Sequence, residues 1–216
     1  MIPVLFEDAH ILVVIKPPQI LSEATAQKNG LPDLLSSERN GCYVGAVHRL
    51  DRGVGGVMVY AKTPLAAGKL SQAVAEHRMQ KQYLAIVHGQ PSPSEATLTD
   101  LLFHDRMKNK TFVADRTRRG VKEARLDYRV LQTREDATLG TLSLLSVRLH
   151  TGRTHQIRVQ FASRQHPLLG DRKYGAPSGV HEIGLFCESL SFPHPVSGKP
   201  LSFSAPPEGC FPSLFS

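Results

Sequence analysis

Two apolar runs open the chain, Pro3-Val4-Leu5-Phe6 and Ile11-Leu12-Val13-Val14-Ile15, separated by the polar Glu7-Asp8-Ala9-His10. The pattern predicts two antiparallel strands and a turn, the second strand closed by Lys16-Pro17-Pro18 because proline brings no N–H to a ladder. Residues 19–47 are mixed, with Gly30, Pro32, Asn40 and Gly41 as punctuation around a short helix at 33–38. A strand follows at 57–61. Thr63-Pro64 fits a helix N-cap with proline at the first position, and Leu65, Leu70, Ala73 and Val74 give a partly apolar face that ends near Arg78. Residues 82–88 read as a strand stopped by Gly89, Pro91 and Pro93. A hairpin is predicted from 124–133 and 141–150 around Glu135-Asp136. Thr154 is placed to cap a helix running to about Arg164, with Ile157 and Phe161 on one face, and strands at 185–192 and 201–203 flank a turn at Pro195–Gly198. Strands joined mainly by turns, with few helices, predict an α+β fold: a mixed, largely antiparallel sheet flanked by helices and loops.

At 216 residues and 41% hydrophobic content, length favours one domain spanning 1–216. Lysine and arginine outnumber aspartate and glutamate 26 to 19, a net +7, which favours a polyanionic partner such as nucleic acid. Between Arg106 and Arg125 stand eight basic residues (Arg106, Lys108, Lys110, Arg116, Arg118, Arg119, Lys122, Arg125) against Asp115 and Glu123, so this stretch holds nearly the whole excess. By composition alone it reads as a solvated, mobile loop. Cys42, Cys187 and Cys210 cannot all pair and share no C-x-x-C spacing, which fits a reducing cytoplasm better than a disulfide framework or a zinc knuckle. No early stretch has the length of a membrane span or the pattern of a secretory leader.

Two long blocks carry the candidate chemistry: His48-Arg49-Leu50-Asp51-Arg52-Gly53-Val54-Gly55-Gly56 with the following Val57–Thr63, and Thr151-Gly152-Arg153-Thr154-His155-Gln156-Ile157-Arg158-Val159. Gly53, Gly55 and Gly56 do not form a dinucleotide loop, since the G-x-G-x-x-G spacing fails at Met58, and no Gly-Lys-Ser/Thr closes a P-loop. The ten histidines include no His-Glu-x-x-His run, so metal chemistry lacks its ligand pattern. Taken singly, Asp51 reads as a loop carboxylate, Tyr83 as sheet packing and Arg158 as a helix-surface charge.

Together these blocks resemble the RluA-like pseudouridine synthases, which isomerise uridine to pseudouridine in ribosomal or transfer RNA. The family pattern H-R-L-D-x-x-T-S-G, an apolar strand and Ala-Lys-Thr resembles residues 48–63, and T-G-R-T-H-Q-I-R-V is matched without a difference at 151–159. The likeness extends to Ile11–Pro17, Lys81–Ala85, His166–Gly175 and Leu190–Pro206. Val54 and Gly55 stand where the family has Thr and Ser, and Gln19 replaces its glycine after Lys-Pro. The resemblance implies the pseudouridine synthase fold, no cofactor and no metal, an RNA partner and a monomer without the accessory N-terminal RNA-binding domain of some relatives. It implies catalytic roles for Asp51 as nucleophile or base, Arg158 as its ionic partner, and Tyr83 as stacking group and general base. Loss of Arg158 is then expected to hurt catalysis more than folding. Arg49 matches the residue that contacts the space vacated by a flipped base, and Arg153 with Lys108, Lys110, Arg116, Arg118 and Arg119 would hold RNA. The rival readings are an RNA-binding or RNA-remodelling protein with absent or incidental catalysis, and a glycosidase that releases free uracil.

Overall fold

The computed structural model describes residues 2–25, 28–177 and 179–215. The chain divides into two compact units, residues 1–81 with 187–207 and residues 82–186 with 208–216. It passes from the first to the second within one strand and returns within another.

In the first unit, β1 (Val4–Glu7) and β2 (Ile11–Lys16) form the expected antiparallel pair, the turn held by Asp8, whose carboxylate accepts from the N–H groups of His10 and Ile11 at 2.7 and 2.8 Å. The short helix α1 (Leu31–Ser37) buries Leu31, Pro32 and Leu35. The two-residue β3 (Gly45–Ala46) and β2 both pair antiparallel with β4 (Gly55–Ala61), every residue of which is buried. Burial on both faces explains why this strand is a continuous apolar run. Helix α2 (Pro64–Ala75) starts as predicted, Thr63 Oγ1 accepting from the Ala66 N–H at 3.1 Å.

The second unit takes most of β5 (Gln80–His88) and continues through β6 (Glu95–Asp105), β7 (Lys110–Ala114), β8 (Val121–Asp136) and β9 (Gly140–Leu149), in the spatial order β5-β9-β8-β6-β7. All these neighbours are antiparallel. Helix α3 (Gln156–Ala162) follows, its Val159 packing with Leu102 of β6 and Ala124 of β8. A 3-10 turn, Arg172–Tyr174, comes next. Strand β10 (Leu185–Pro193) begins in this unit and ends in the first, where it pairs antiparallel with β11 (Pro200–Ser204); helix α4 (Cys210–Leu214) closes the chain. Within the first unit β10 lies beside β4 so closely that a Cβ on Gly56 would stand 2.4 Å from the Cys187 carbonyl, which only glycine tolerates.

Two expectations need correction. The basic stretch is not a mobile loop: β6, β7 and the start of β8 form a ladder, and only its turns are irregular. Thr154 does not occupy the cap of α3. His155 does, in the left-handed conformation at φ 54°, while the Thr154 carbonyl accepts from Thr111 Oγ1 at 2.8 Å. Among the described residues no helix is long and apolar enough to cross a membrane.

Candidate active site

In the first unit, Asp51 stands on the turn into β4, closed by the Val54 N–H donating to the Asp51 carbonyl at 3.0 Å. The residue before it is gripped on both backbone groups: Ser22 Oγ donates to the Leu50 carbonyl at 2.7 Å and accepts from the Leu50 N–H at 3.0 Å. The residue after it is gripped too. The Gln19 N–H donates to the Arg52 carbonyl at 2.7 Å, and the Lys16 ammonium reaches the carbonyls of Pro17 and Arg52 at 2.9 and 3.4 Å. Lys16 is completely buried. Burial pushes its ammonium down to about 8, opposed by the nearby Asp51 carboxylate. Gln19 has φ 69°, the conformation for which glycine is suited, so its departure from the family pattern costs about 1 kcal/mol of local strain. Val54 and Gly55 are buried at the start of β4.

His48 is buried and neutral; burial, then the charge of Lys81, hold it well below the usual imidazole range, and its Nε2 accepts from the Val59 N–H at 3.2 Å. Its role in the first block is to seat the turn on β4. Arg49, by contrast, is exposed and meets Glu23 only at 3.4 Å.

In the second unit, Tyr83 lies on β5 opposite Val147, 5% exposed. The Thr151–Val159 block is a short hydrogen-bonded loop that runs into the first turn of α3. Gln156 Oε1 accepts from Thr151 Oγ1 and from the Arg153 N–H at 2.8 and 3.0 Å, and Gln156 Nε2 donates to the Arg125 carbonyl at 3.1 Å. Helix α3 has no solvent face over Gln156–Phe161, so Arg158 is not the surface charge its spacing implies. Its Nε and one terminal nitrogen donate to the two carboxylate oxygens of Asp171 at 2.7 and 2.8 Å, with side-chain exposures of 7% and 1%. Such a fork is the strongest geometry for an ion pair. Removing the guanidinium would strand the buried Asp171 carboxylate, so truncation at Arg158 carries a cost in stability.

The predicted RNA-binding residues differ in how they are held. Arg106, Lys108, Arg116, Arg118 and Arg119 are exposed around the turns flanking β7, and Met107 between two of them is 96% exposed. Arg118 lies over the Phe103 ring at 5.3 Å. Lys110 is half-buried over Tyr174, and Arg153 donates Nε to the Glu123 carbonyl at 2.8 Å, so both also hold structure. Among the described residues no group of three or more His, Cys, Asp or Glu could hold a metal ion.

A turn-borne aspartate gripped on both flanks, on a chain whose second block presents a buried, carboxylate-paired arginine, coincides with a match to the family model described as RNA pseudouridylate synthase over residues 10–163. The chain belongs to this family. It is therefore an RNA pseudouridine synthase, an isomerase that converts uridine to pseudouridine. It is 33% identical to the dual-specificity RNA pseudouridine synthase RluA of Salmonella typhimurium over 212 residues, covering 94% of this chain and 92% of that protein. With the ribosomal large subunit pseudouridine synthase D of Xanthomonas campestris it shares 35% over 227 residues, covering 94% of this chain and 65% of that one. The solved structure of human RNA pseudouridylate synthase domain containing 1 superposes with a TM-score of 0.80 at 24% identity, covering 96% of this chain and 84% of that one. Domain containing 4 gives 0.77 at 22% identity, covering 97% and 90%. Both share the fold, the mixed, largely antiparallel sheet flanked by helices that the strand pattern predicts.

Within this pseudouridine synthase, sequence reasoning missed the residues that hold the motifs. Lys16 and Asp171 lie in segments that resemble the family, yet nothing local marks them as buried charges. Ser22 acts through the backbone groups of Leu50, and Gln156 through the Arg153 N–H, the Arg125 carbonyl and the Thr151 hydroxyl, which sequence spacing does not display.

Proposed function

We propose that Asp51, Tyr83 and Arg158 act on one uridine flipped out of its RNA, with Asp51 as nucleophile or base. The bond from ribose carbon 1′ to base nitrogen 1 breaks, the base turns, and carbon 5 is joined to carbon 1′. The carbon 5 proton leaves to a base, for which the Tyr83 oxygen is the candidate, and nitrogen 1 gains a proton; no electrons are gained or lost. The family resemblance gives Arg158 the role of ionic partner to the catalytic carboxylate, which would favour its charged form. The observation that carries this reading is the turn itself: both neighbours of Asp51 are fixed through their backbone, so the carboxylate is presented from a rigid base.

The RNA is captured by the exposed basic residues Arg106, Lys108, Arg116, Arg118 and Arg119, with Arg49 filling the vacated stack and Lys110 and Arg153 lending charge from semi-structural positions. Ribosomal or transfer RNA is the substrate class, in keeping with the names of the relatives, one described as dual-specific and one as acting on the ribosomal large subunit. The enzyme works as a monomer in the cytoplasm, where its three thiols suit a reducing milieu.

The test is tritium release from carbon 5 of labelled uridine in bulk ribosomal and transfer RNA, native protein against Asp51→Asn, with an assay for free uracil. Release that disappears in the variant, without free base, is expected. Free uracil would make the enzyme a glycosidase, and salt-sensitive binding without release from either pool would favour an RNA-binding protein.

A further inference from the structure

Arg158 is gripped from two sides by one short segment. The Asp171 carboxylate takes its edge through two hydrogen bonds, and the Tyr174 ring lies 5.2 Å from the guanidinium carbon. The 3-10 turn between them fixes their spacing, with the Tyr174 and Ala176 N–H groups both donating to the Asp171 carbonyl, at 3.0 and 3.1 Å. The same segment is also tied to the basic hairpin. The Thr111 N–H at the start of β7 donates to the Tyr174 hydroxyl at 2.8 Å, Lys173 Nζ donates to the Asn109 carbonyl at 2.9 Å, and Lys110 Nζ lies 5.2 Å from the Tyr174 ring centre.

Thr111 Oγ1 donates to the Thr154 carbonyl at 2.8 Å and so accepts from His104 Nδ1 at 3.1 Å. The Tyr174 hydroxyl accepts from the Thr111 N–H at 2.8 Å and shares a hydrogen bond with His155 Nδ1 at 2.9 Å. Burial raises the Tyr174 hydroxyl above the usual phenol range, so it stays protonated. His155 in turn is the residue whose left-handed backbone starts the helix that carries Arg158. A side chain with a hydroxyl on the hairpin and on the helix cap, and a ring on the arginine, exceeds what filling space requires.

We propose that Asp171 and Tyr174 are positioning residues for Arg158, and that Tyr174 joins Arg158 to the hairpin that engages RNA, so that contact with the substrate tightens the arginine. The inference rests on the role proposed above for Arg158. Tyr174→Phe keeps the ring and removes only the hydroxyl. It is expected to slow single-turnover tritium release at saturating RNA by roughly tenfold, the scale of a sub-ångström misplacement, while the Kd for RNA and the Tm change little. Asp171→Asn keeps the shape, loses the charge and is expected to slow release further.

The decisive comparison places Tyr174→Phe in an Arg158→Lys background, since lysine keeps the charge without the fork. Native release slowed by Arg158→Lys, and not slowed again by Tyr174→Phe, is the expected result. A Tyr174→Phe loss as large in that background as in the native one would overturn the positioning role, as would a native rate in Tyr174→Phe. A native rate in Arg158→Lys would instead refute the role of Arg158, and so separates that failure from this one.

Discussion

Around Asp51 the backbone is held by side chains from about thirty residues away, whereas around β7 the backbone holds itself and the side chains are left to water. Ser22, Leu50, Val54 and Lys16 are each under a tenth exposed, and all bear on one turn. In the hairpin, Arg106, Lys108, Arg116, Arg118 and Arg119 are exposed over ladder hydrogen bonds that need none of them. A carboxylate that must meet one atom needs a fixed base. A surface that attracts a polyanion needs charge density, and lysine and arginine supply it with their rotamers still free. The two regions should therefore fail differently when altered.

The largest effect belongs to the turn. Asp51→Asn is expected to lower the single-turnover rate by at least about a thousandfold while RNA binding persists. It also removes the charge that offsets the burial of Lys16, so a modest fall in the urea midpoint accompanies it. Binding lost together with turnover would mean that the carboxylate serves the fold rather than the reaction.

Ser22→Ala comes next. It leaves the buried Leu50 N–H and carbonyl without the hydroxyl that serves both, at a cost of about 1–3 kcal/mol in stability. Equilibrium urea denaturation measures the fall, and a rate loss in protein that is still folded would show that the turn has loosened. An unchanged midpoint would show that the turn is held by Lys16 and Gln19 alone.

The exposed arginines after β7, away from the links to the Tyr174 segment, should respond only in binding. Replacing Arg116, Arg118 and Arg119 together by glutamine should flatten the slope of log K against log salt by about 2, at roughly 0.7 per single-strand phosphate released. The rate at saturating RNA should stay within about twofold, because these residues stand apart from the Thr111 and Asn109 links to the Tyr174 segment. An unchanged slope would remove them from the RNA surface.

The same contrast governs what could be read from sequence. Strands β2 and β4 are buried on both faces and announce themselves as apolar runs, and the Thr63 cap is a local rule that held. Strand β7 buries only Thr111 among Lys110–Ala114, so no apolar alternation marks it and its charges read as loop. Asp51, Tyr83 and Arg158 are candidates only through the resemblance of their motifs. What surrounds them was not legible, because Asp171 meets Arg158 and Ser22 meets Leu50 through folding, at separations of 13 and 28 residues. Helix α3 shows the limit most clearly: Gln156, Arg158 and Gln160 look solvent-facing by type, yet each is buried against partners elsewhere in the chain, Gln160 donating to Asp100 at 2.7 Å.

The smallest expected effect tests whether fixing a charge at the surface resembles either region. Glu7 at the end of β1 accepts from Arg39 and meets Lys62 at 2.8 Å, and these partners hold its carboxyl down at about 2. Because the folded value lies below the unfolded one, the unfolded chain binds more protons as acid is added. The stabilisation is thus complete above pH 4.5 and is lost as the pH falls toward 2. The side chain is 31% exposed, so solvent screening limits the stabilisation to about 1 kcal/mol. Glu7→Gln should lower stability by that amount at pH 7, by nothing near pH 2, and by less in strong salt. A difference that survived both acid and salt would mean that Glu7 is held as the Asp51 turn is, by burial and shape, rather than by charge in water.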